Sequence, residues 1–406
     1  MSTAPRAATA WRIAVIAVLA GLAVAGHTWY GIRNKFFDLH IYAAAMRWWD
    51  DGHPLYDFAL PDATQGQLGF TYPPFAALVM RPLAWLSLGV VDALYLVAAA
   101  GLLLLVAYWL TSRLADRLDQ PRWFVTGLAV VLLSGVEPIR VTIDFGQINL
   151  LLLALVLGDL LVLGPRRSRF AGVGVGLAAA IKLIPAIFIA YALVTRRWRL
   201  AAVATGTAVG ATLLAAAVLP AESWRFWSQT LRNLTGIGQL EYFSNQSLLG
   251  GLARAGITET ALWLALALPV AAFGLWRASR AARSGDELTA VALVGLTGGL
   301  ASPVTWHHHL VWLAPAVASL ATAAAARHSR ALLAATVACY ACLVFSPLAY
   351  YQDYLLHPDG IIRPLLVNWY VWVALILVIA LPVTRPAPRD ERAPRAEPAE
   401  GTLVAG

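Results

Sequence analysis

The chain has 406 residues, 60% of them hydrophobic and only 13% charged, with a mean hydropathy of +0.68. Values this apolar exclude an ordinary soluble domain and point to a polytopic membrane protein. The formal net charge of +8 does not argue for nucleic acid, because the arginines stand in small groups between apolar segments, as cytoplasmic loops do under the positive-inside rule.

Those groups are Arg6 with Arg12, Arg113 with Arg117 and Arg122, Arg166 to Arg169, Arg196 to Arg199, Arg277 to Arg283, Arg327 with Arg330, and Arg385 to Arg395. If all are cytoplasmic, each interval contains an even number of crossings, and a span needs about 20 apolar residues. Residues 12–30 then cross outward, 31–74 form an external loop, 75–86 make a shallow interfacial piece, and 88–110 return. Residues 12–25 also have the look of a signal peptide, but an anchor keeps the crossing pattern even. Next come 123–137 out and 147–163 back, around the polar segment 137–146.

Residues 171–194 are flanked by arginine and too short for two full spans. A pair of short helices meeting near Lys182 and Pro185, inside protein, satisfies both the charge rule and the backbone. Residues 200–219 cross out, followed by an external loop to about 258. The remaining spans are 260–276, 287–303, 309–326, 331–349 and 366–383. The expected fold is thus an all-α polytopic bundle of about twelve crossings with both termini cytoplasmic. Residues 1–384 form one membrane domain and 385–406 a disordered tail rich in Pro, Ala, Arg and Glu.

Under this topology the polar islands fall on the outer side: Asp38 to Tyr42, Thr71-Tyr-Pro-Pro74, Asp144 to Asn149, Asn245-Gln-Ser247 and Ser302 to His309. Ionisable side chains at the edge of hydrocarbon are costly, so their gathering at one face makes a site there the default hypothesis. Asp38 precedes an amphipathic segment, 39–52, and is expected at its N-cap, where capping and a base role are compatible. Lys182, within the short helix pair, calls for an anion or a carboxylate such as Asp144, or snorkels to the interface. Arg140 and Lys35 are the other candidate phosphate-binding cations.

His307, His308 and His309 lack a second ligand set or a His-Glu-x-x-His pattern, so no metal is expected there. One of these imidazoles is instead a candidate donor to a phosphate oxygen. Tyr72-Pro-Pro74 stiffens a loop end. Cys339 and Cys342 lie inside an apolar run and read as packing residues, while Asn233-Leu-Thr and Asn245-Gln-Ser match glycosylation acceptors without carrying further meaning.

Asp38-Leu-His-Ile-Tyr42, Thr71-Tyr-Pro-Pro-Phe75, Gly146-Gln-Ile-Asn-Leu150, Ala180-Ile-Lys-Leu-Ile-Pro185, Asn245-Gln-Ser-Leu248 and Ser302-Pro-Val-Thr-Trp306 before His308-His309 occur in this order. As an ordered set they resemble the polyprenol-phosphate-mannose-dependent mannosyltransferases of glycosyltransferase family 87, actinobacterial enzymes of phosphatidylinositol mannoside and lipoarabinomannan synthesis. The resemblance implies a GT-C fold in the plasma membrane with its site facing outward, a catalytic Asp at Asp38 and paired histidines at His308 and His309. It further implies a polyprenyl phosphate mannose donor, with Lys182 carried over on its Ile-Lys-Leu-Ile-Pro context; Arg140 and Lys35 stay as alternative phosphate partners from the residue reading, and no cofactor is expected. Tyr42, Tyr72, Gln147, Asn149, Asn245, Gln246, Trp306 and His307 become candidate substrate contacts.

The reaction implied is α-(1→2) transfer of mannose onto a mannosylated lipid, with branches on lipomannan or lipoarabinomannan preferred over phosphatidylinositol mannosides. The alternatives are a transferase of another polyprenyl-phosphate sugar, and a transporter or lipid flippase. No internal repeat of the kind common in transporters is evident.

Overall fold

A long helix, α1 (Ala4–Tyr30), opens the chain. The computed structural model describes residues 4–30, 35–62, 66–232, 239–348 and 362–384. Asn233-Leu-Thr235 and the tail from Arg385 lie outside the described residues.

The segment expected as the first external loop is an ordered layer. It holds α2 (Phe37–Asp50), an antiparallel hairpin of β1 (Ala59–Asp62) and β2 (Gly66–Gly69) with Ala59 opposite Gly69, and α3 (Pro74–Met80). The two strands depart from the all-α expectation; their sequence, with Pro61 and four glycine or polar positions, carries little strand signal. Pro74 opens α3 at its first position, where a missing N–H costs nothing.

Helix α2 begins two residues earlier than its sequence suggests. Asp38 is its second residue rather than the cap, and the capping position belongs to Phe36, which is left-handed at φ 58° and makes no side-chain cap bond. Lys35 is left-handed too, at φ 46°, and such residues cost about 1–2 kcal/mol each. Two contacts hold them there. The Phe36 amide donates to the Asp144 carbonyl at 2.8 Å, and the Phe36 ring meets Tyr95 edge-on at 5.8 Å.

After α4 (Leu88–Arg117), the helices α5 (Arg122–Gly135) and α6 (Glu137–Phe145) are bent by 74° at their junction, where Pro138 follows the break. The polar segment expected as a linker is therefore α6 itself. Gly146 ends it at φ 74°, and a Cβ there would stand 2.4 Å from the Leu39 Cβ. Glycine thus serves both the left-handed turn and the close seating of α2.

Helix α7 (Asn149–Leu157) leads to α8 (Val173–Ile181) and α9 (Ile187–Val194). The expected short pair forms: Lys182 leaves α8 in an extended conformation and a 3-10 turn at Ile184–Ala186 follows. Gly172, at the start of α8, abuts Leu200 and Ala204 of α10 (Trp198–Val218), and α9 passes into α10 almost directly. Both ends of the pair therefore lie level with the start of α10, with Lys182 at the tip. A Cβ on Gly176 would lie 2.5 Å from the Ala204 carbonyl, the close backbone approach that small residues permit in membranes.

The chain continues through α11 (Pro220–Ser228), α12 (Leu248–Arg254), α13 (Thr260–Arg283), α14 (Glu287–Ala301), α15 (Leu313–Arg327), α16 (Arg330–Val344) and a final helix at Trp369–Ala380. Helix α14 is buried from Glu287 to Leu300, as a helix apolar on every face must be. Among the described residues five helices are long and apolar enough to cross a bilayer, or six if α5 and α6 count as one span. Shorter apolar helices occupy positions of other expected spans, so twelve full-length crossings are not reproduced.

The arginine groups and the polar islands separate to opposite ends. Arg277 donates to the carbonyls of Val378, Ile379 and Leu381, Arg327 to that of Val383, and Arg117 to that of Thr322. Asp286 accepts from the Thr384 amide at 2.7 Å. At the same end Arg197 clasps Glu287 through two bonds of 2.6 Å.

Gly146→Ala should destabilise the fold by about 1–3 kcal/mol, the range for overpacked sites, because α2 must shift. Gly206→Ala, where a Cβ would meet nothing within 4 Å, should leave the thermal midpoint in nanodiscs unchanged or raised. Equal midpoints for both variants would contradict the seating of α2 on the α6–α7 turn.

Candidate active site

Five elements bring one residue or more to a single point at the end opposite the arginines. The Asp38 carboxylate, half-buried on the first turn of α2, accepts from Gln147 Nε2 at 2.5 Å. Gln147 Oε1 accepts from the Tyr72 hydroxyl at 3.0 Å, and the Tyr42 hydroxyl lies 3.0 Å from that of Tyr72. Lys182 Nζ donates to the Tyr72 hydroxyl at 3.4 Å and to Asn149 Oδ1 at 3.3 Å, and sits 2.8 Å from His309 Nε2. It also lies 5.1 Å from the centre of the Tyr72 ring, within cation–π range.

Seven expected site residues thus form one connected network: Asp38, Tyr42, Tyr72, Gln147, Asn149, Lys182 and His309. The carboxylate whose field reaches Lys182 is Asp38 rather than Asp144. Burial pushes the Asp38 carboxyl up to about 6, against the opposing influences of the Gln147 hydrogen bond and the Lys182 charge. Such a group is ionised at neutral pH yet basic enough to take a proton.

The 3-10 turn at His307–Trp312 is pinned by its backbone. The His308 carbonyl accepts from Thr142 Oγ1 and Asn149 Nδ2, each at 2.9 Å. The His308 ring lies 5.5 Å from that of Phe145. His307 Nδ1 lies 2.5 Å from Ser244 Oγ. His307 Nε2, both ring nitrogens of His308 and His309 Nδ1 are buried and meet no hydrogen-bond partner among the described residues. Buried polar atoms of this kind call for a ligand or a water.

Asn245 and Gln246 are brought near but spent on the backbone. Asn245 Oδ1 accepts from the amides of Ser247 and Thr305, and its Nδ2 donates to the Leu240 carbonyl. Gln246 bonds Phe243, Val367, Tyr370 and Val371. Trp306 pairs with Asn245 as a β-bridge and meets the Tyr242 ring at 6.4 Å. Arg140, half-buried on α6, projects its charge onto His307 and Glu137. Lys35 is exposed on the turn before α2.

Sequence patterns do not single out Ser244, Thr142 or Glu137, although a lone acid in an apolar stretch is a signal; Glu137 accepts from the Tyr370 hydroxyl at 2.6 Å. Among the described residues no three His, Cys, Asp or Glu side chains gather as metal ligands.

Two spaces adjoin the network. A cavity of about 20 Å³, lined by Asn149, Lys182 and His309 among others, has room for a single water or oxygen atom. On the other face of the Lys182 turn, an apolar groove of about 470 Å³ runs between α8, α9 and α10, with Pro73, Leu183 and Trp227 on its walls.

The profile described as Glycosyltransferase family 87 matches residues 70–303, a segment that contains Tyr72, Gln147, Asn149 and Lys182 but neither Asp38 nor the histidines. A polyprenol-phosphate-mannose-dependent alpha-(1-2)-phosphatidylinositol mannoside mannosyltransferase of Mycolicibacterium smegmatis is 34% identical over 399 residues, covering 92% of this chain and 89% of its own. A polyprenol-phosphate-mannose-dependent alpha-(1-2)-phosphatidylinositol pentamannoside mannosyltransferase of the same species is 36% identical over 314 residues, 74% of this chain and 72% of its own. An alpha-(1->3)-arabinofuranosyltransferase of Mycobacterium tuberculosis is 29% identical over 259 residues, 61% and 56% of the two chains. No solved structure matches the chain significantly. Matched over more than half its length by the profile and along nearly all of it by a relative, the chain belongs to glycosyltransferase family 87.

Proposed function

We propose that this protein transfers mannose from polyprenyl phosphate mannose to a mannosylated phosphatidylinositol lipid, forming an α-(1→2) linkage with inversion. The observation that carries the proposal is Asp38, a half-buried carboxylate in one hydrogen-bonded network with Lys182 and His309. The acceptor hydroxyl oxygen attacks the anomeric carbon, and the bond from that carbon to the phosphate oxygen breaks with its electron pair leaving on phosphate. The hydroxyl proton passes to Asp38. A β-linked donor attacked from the opposite face yields the α product.

On the leaving side, the unpartnered nitrogens of His308 and His309 face the departing phosphate, with Lys182 behind them and Arg140 flanking through His307. A lipid phosphate leaves readily, so the step calls for no metal or cofactor. Tyr42, Tyr72, Gln147 and Asn149 order the base and the cation, while Asn245, Gln246 and Trp306 brace the histidine turn. Lys35 is assigned no part in the reaction.

The prenyl chain of the donor lies in the apolar groove beside Leu183, which places its phosphate at the tip of the α8–α9 pair. The relatives' names favour phosphatidylinositol mannosides as acceptors over lipomannan or lipoarabinomannan branches. The architecture is read as a GT-C membrane enzyme spanning residues 1–384, with both termini cytoplasmic and the site extracytoplasmic. Membrane lipids surround it. The arabinofuranosyl relative keeps a different polyprenyl-phosphate sugar as the second reading, which a parallel assay with that donor decides.

Asp38→Asn should reduce mannosyl transfer by at least about 100-fold, in the range of general base losses, while donor binding persists. Undiminished transfer would contradict the base role. For the native chain kcat/KM should fall as pH drops through about 6, because protonation removes the base. Gln147→Leu removes an influence that lowers the Asp38 pKa, so its acid limb should move to higher pH; a limb moving lower would contradict the assignment. Ala208→Trp, which fills the groove wall, should raise the KM for a long-chain donor and leave that for a short-chain analogue near native. A uniform change for both would place the prenyl chain elsewhere.

A further inference from the structure

Lys182 is the only ammonium in the network, and its three hydrogens can be counted. An ammonium has three N–H donors and no acceptor. The acceptors around it are three: the Tyr72 hydroxyl at 3.4 Å, Asn149 Oδ1 at 3.3 Å and His309 Nε2 at 2.8 Å. Each orientation is fixed from its far side. Asn149 presents its oxygen to Lys182 because its nitrogen donates to the His308 carbonyl. Tyr72 presents a lone pair because its own hydrogen goes to Gln147 Oε1.

His309 must then accept at Nε2. An Nε2–H tautomer would set donor against donor at 2.8 Å, and an imidazolium would set cation against cation. Lysine is ordinarily the stronger base of the two by several pH units, so the shared proton rests on Lys182. The remaining proton of a neutral imidazole is forced onto Nδ1. That nitrogen is buried and meets no partner among the described residues.

We infer that Lys182 is a positioning residue that locks His309 in its neutral Nδ1–H tautomer, making His309 a hydrogen-bond donor to the departing phosphate oxygen rather than an acid or a base. The identity of that acceptor rests on the proposed mannosyl transfer; the tautomer does not. The titratable groups that act on His309 are Lys182 from the α8–α9 tip and His308 and His307 on its own turn.

The test uses the full chain in nanodiscs. Nitrogen NMR of histidine-labelled protein, with the His309 signals identified by their loss in His309→Asn, should show the neutral Nδ1–H pattern in the native chain. In Lys182→Met the pattern should change to the Nε2–H form or a mixture. An Nε2–H or cationic His309 in the native chain, or a pattern unmoved by Lys182→Met, overturns the inference.

Transfer assays supply the second arm. The Asn side chain places an amide N–H near the Nδ1 position and Gln near Nε2, so His309→Asn should stay within about 10-fold of native while His309→Gln and His309→Ala lose about 100-fold, the scale for one oxyanion donor. Rescue by Gln instead of Asn assigns the wrong nitrogen and overturns the inference. Lys182→Met should cost about 100-fold beside His309 but only about 10-fold in the His309→Asn background, where no tautomer needs locking. An equal loss in both backgrounds means that Lys182 holds the phosphate directly, and overturns it too. If the native chain transfers no mannose, the functional reading fails while the NMR arm still decides the tautomer.

Discussion

The site depends on a single polarised chain of hydrogen bonds that starts at a cation and ends at an anion. Lys182 donates to the Tyr72 hydroxyl, Tyr72 donates to the Gln147 carbonyl oxygen, and Gln147 donates through its amide to Asp38. The direction is fixed at both ends, because an ammonium cannot accept and a flipped Gln147 amide would set its oxygen against the Asp38 carboxylate. A charge at each end stabilises every dipole between them, so the network behaves as one unit that spans α2, the loop before α3, the α6–α7 turn and the α8–α9 tip. In the proposed reaction Asp38 is the base at one end, and unpartnered imidazole nitrogens lie at the other.

Four backbone devices bring these links together. The left-handed Lys35 and Phe36 seat α2 against the Asp144 carbonyl, and Gly146 lets Leu39 approach closely enough for Asp38 to meet the next residue, Gln147. The 74° bend between α5 and α6 carries Thr142 and Asn149 under the histidine turn, where both hold the His308 carbonyl. Glycine contacts between α8 and α10 let the short helix pair lie against its neighbour and end at Lys182. Strain in the first device is tolerated because the surrounding contacts over-determine it.

Much of the site was legible in the chain because membranes make polar residues informative. Asp38, Tyr72, Gln147, Asn149, Lys182 and His309 stand out against apolar neighbours, and the arginine groups put them on one face. The short pair around Lys182 and Pro185 followed from length alone, since 24 residues between two arginine groups cannot cross twice. Other features were hidden for physical reasons. Phe36 gives no sign of a left-handed cap, so Asp38 was placed two positions off. The segment at 137–146 looks like a polar linker, and only packing against the histidine turn makes it a helix. Asn245 and Gln246 look like ligand contacts, yet their amides are spent on backbone groups that no local pattern reveals.

The central claim is a specific glycosidic bond made by this chain. Purified protein in nanodiscs would be given polyprenyl phosphate mannose and a phosphatidylinositol mannoside, and the product's new linkage read by NMR and by digestion with an α-(1→2)-specific mannosidase. The account predicts a single added mannose, α-configured on O2 of the acceptor mannose and removed by that enzyme. A β-configured product, a bond at another oxygen, or transfer of a pentose in place of mannose would contradict it.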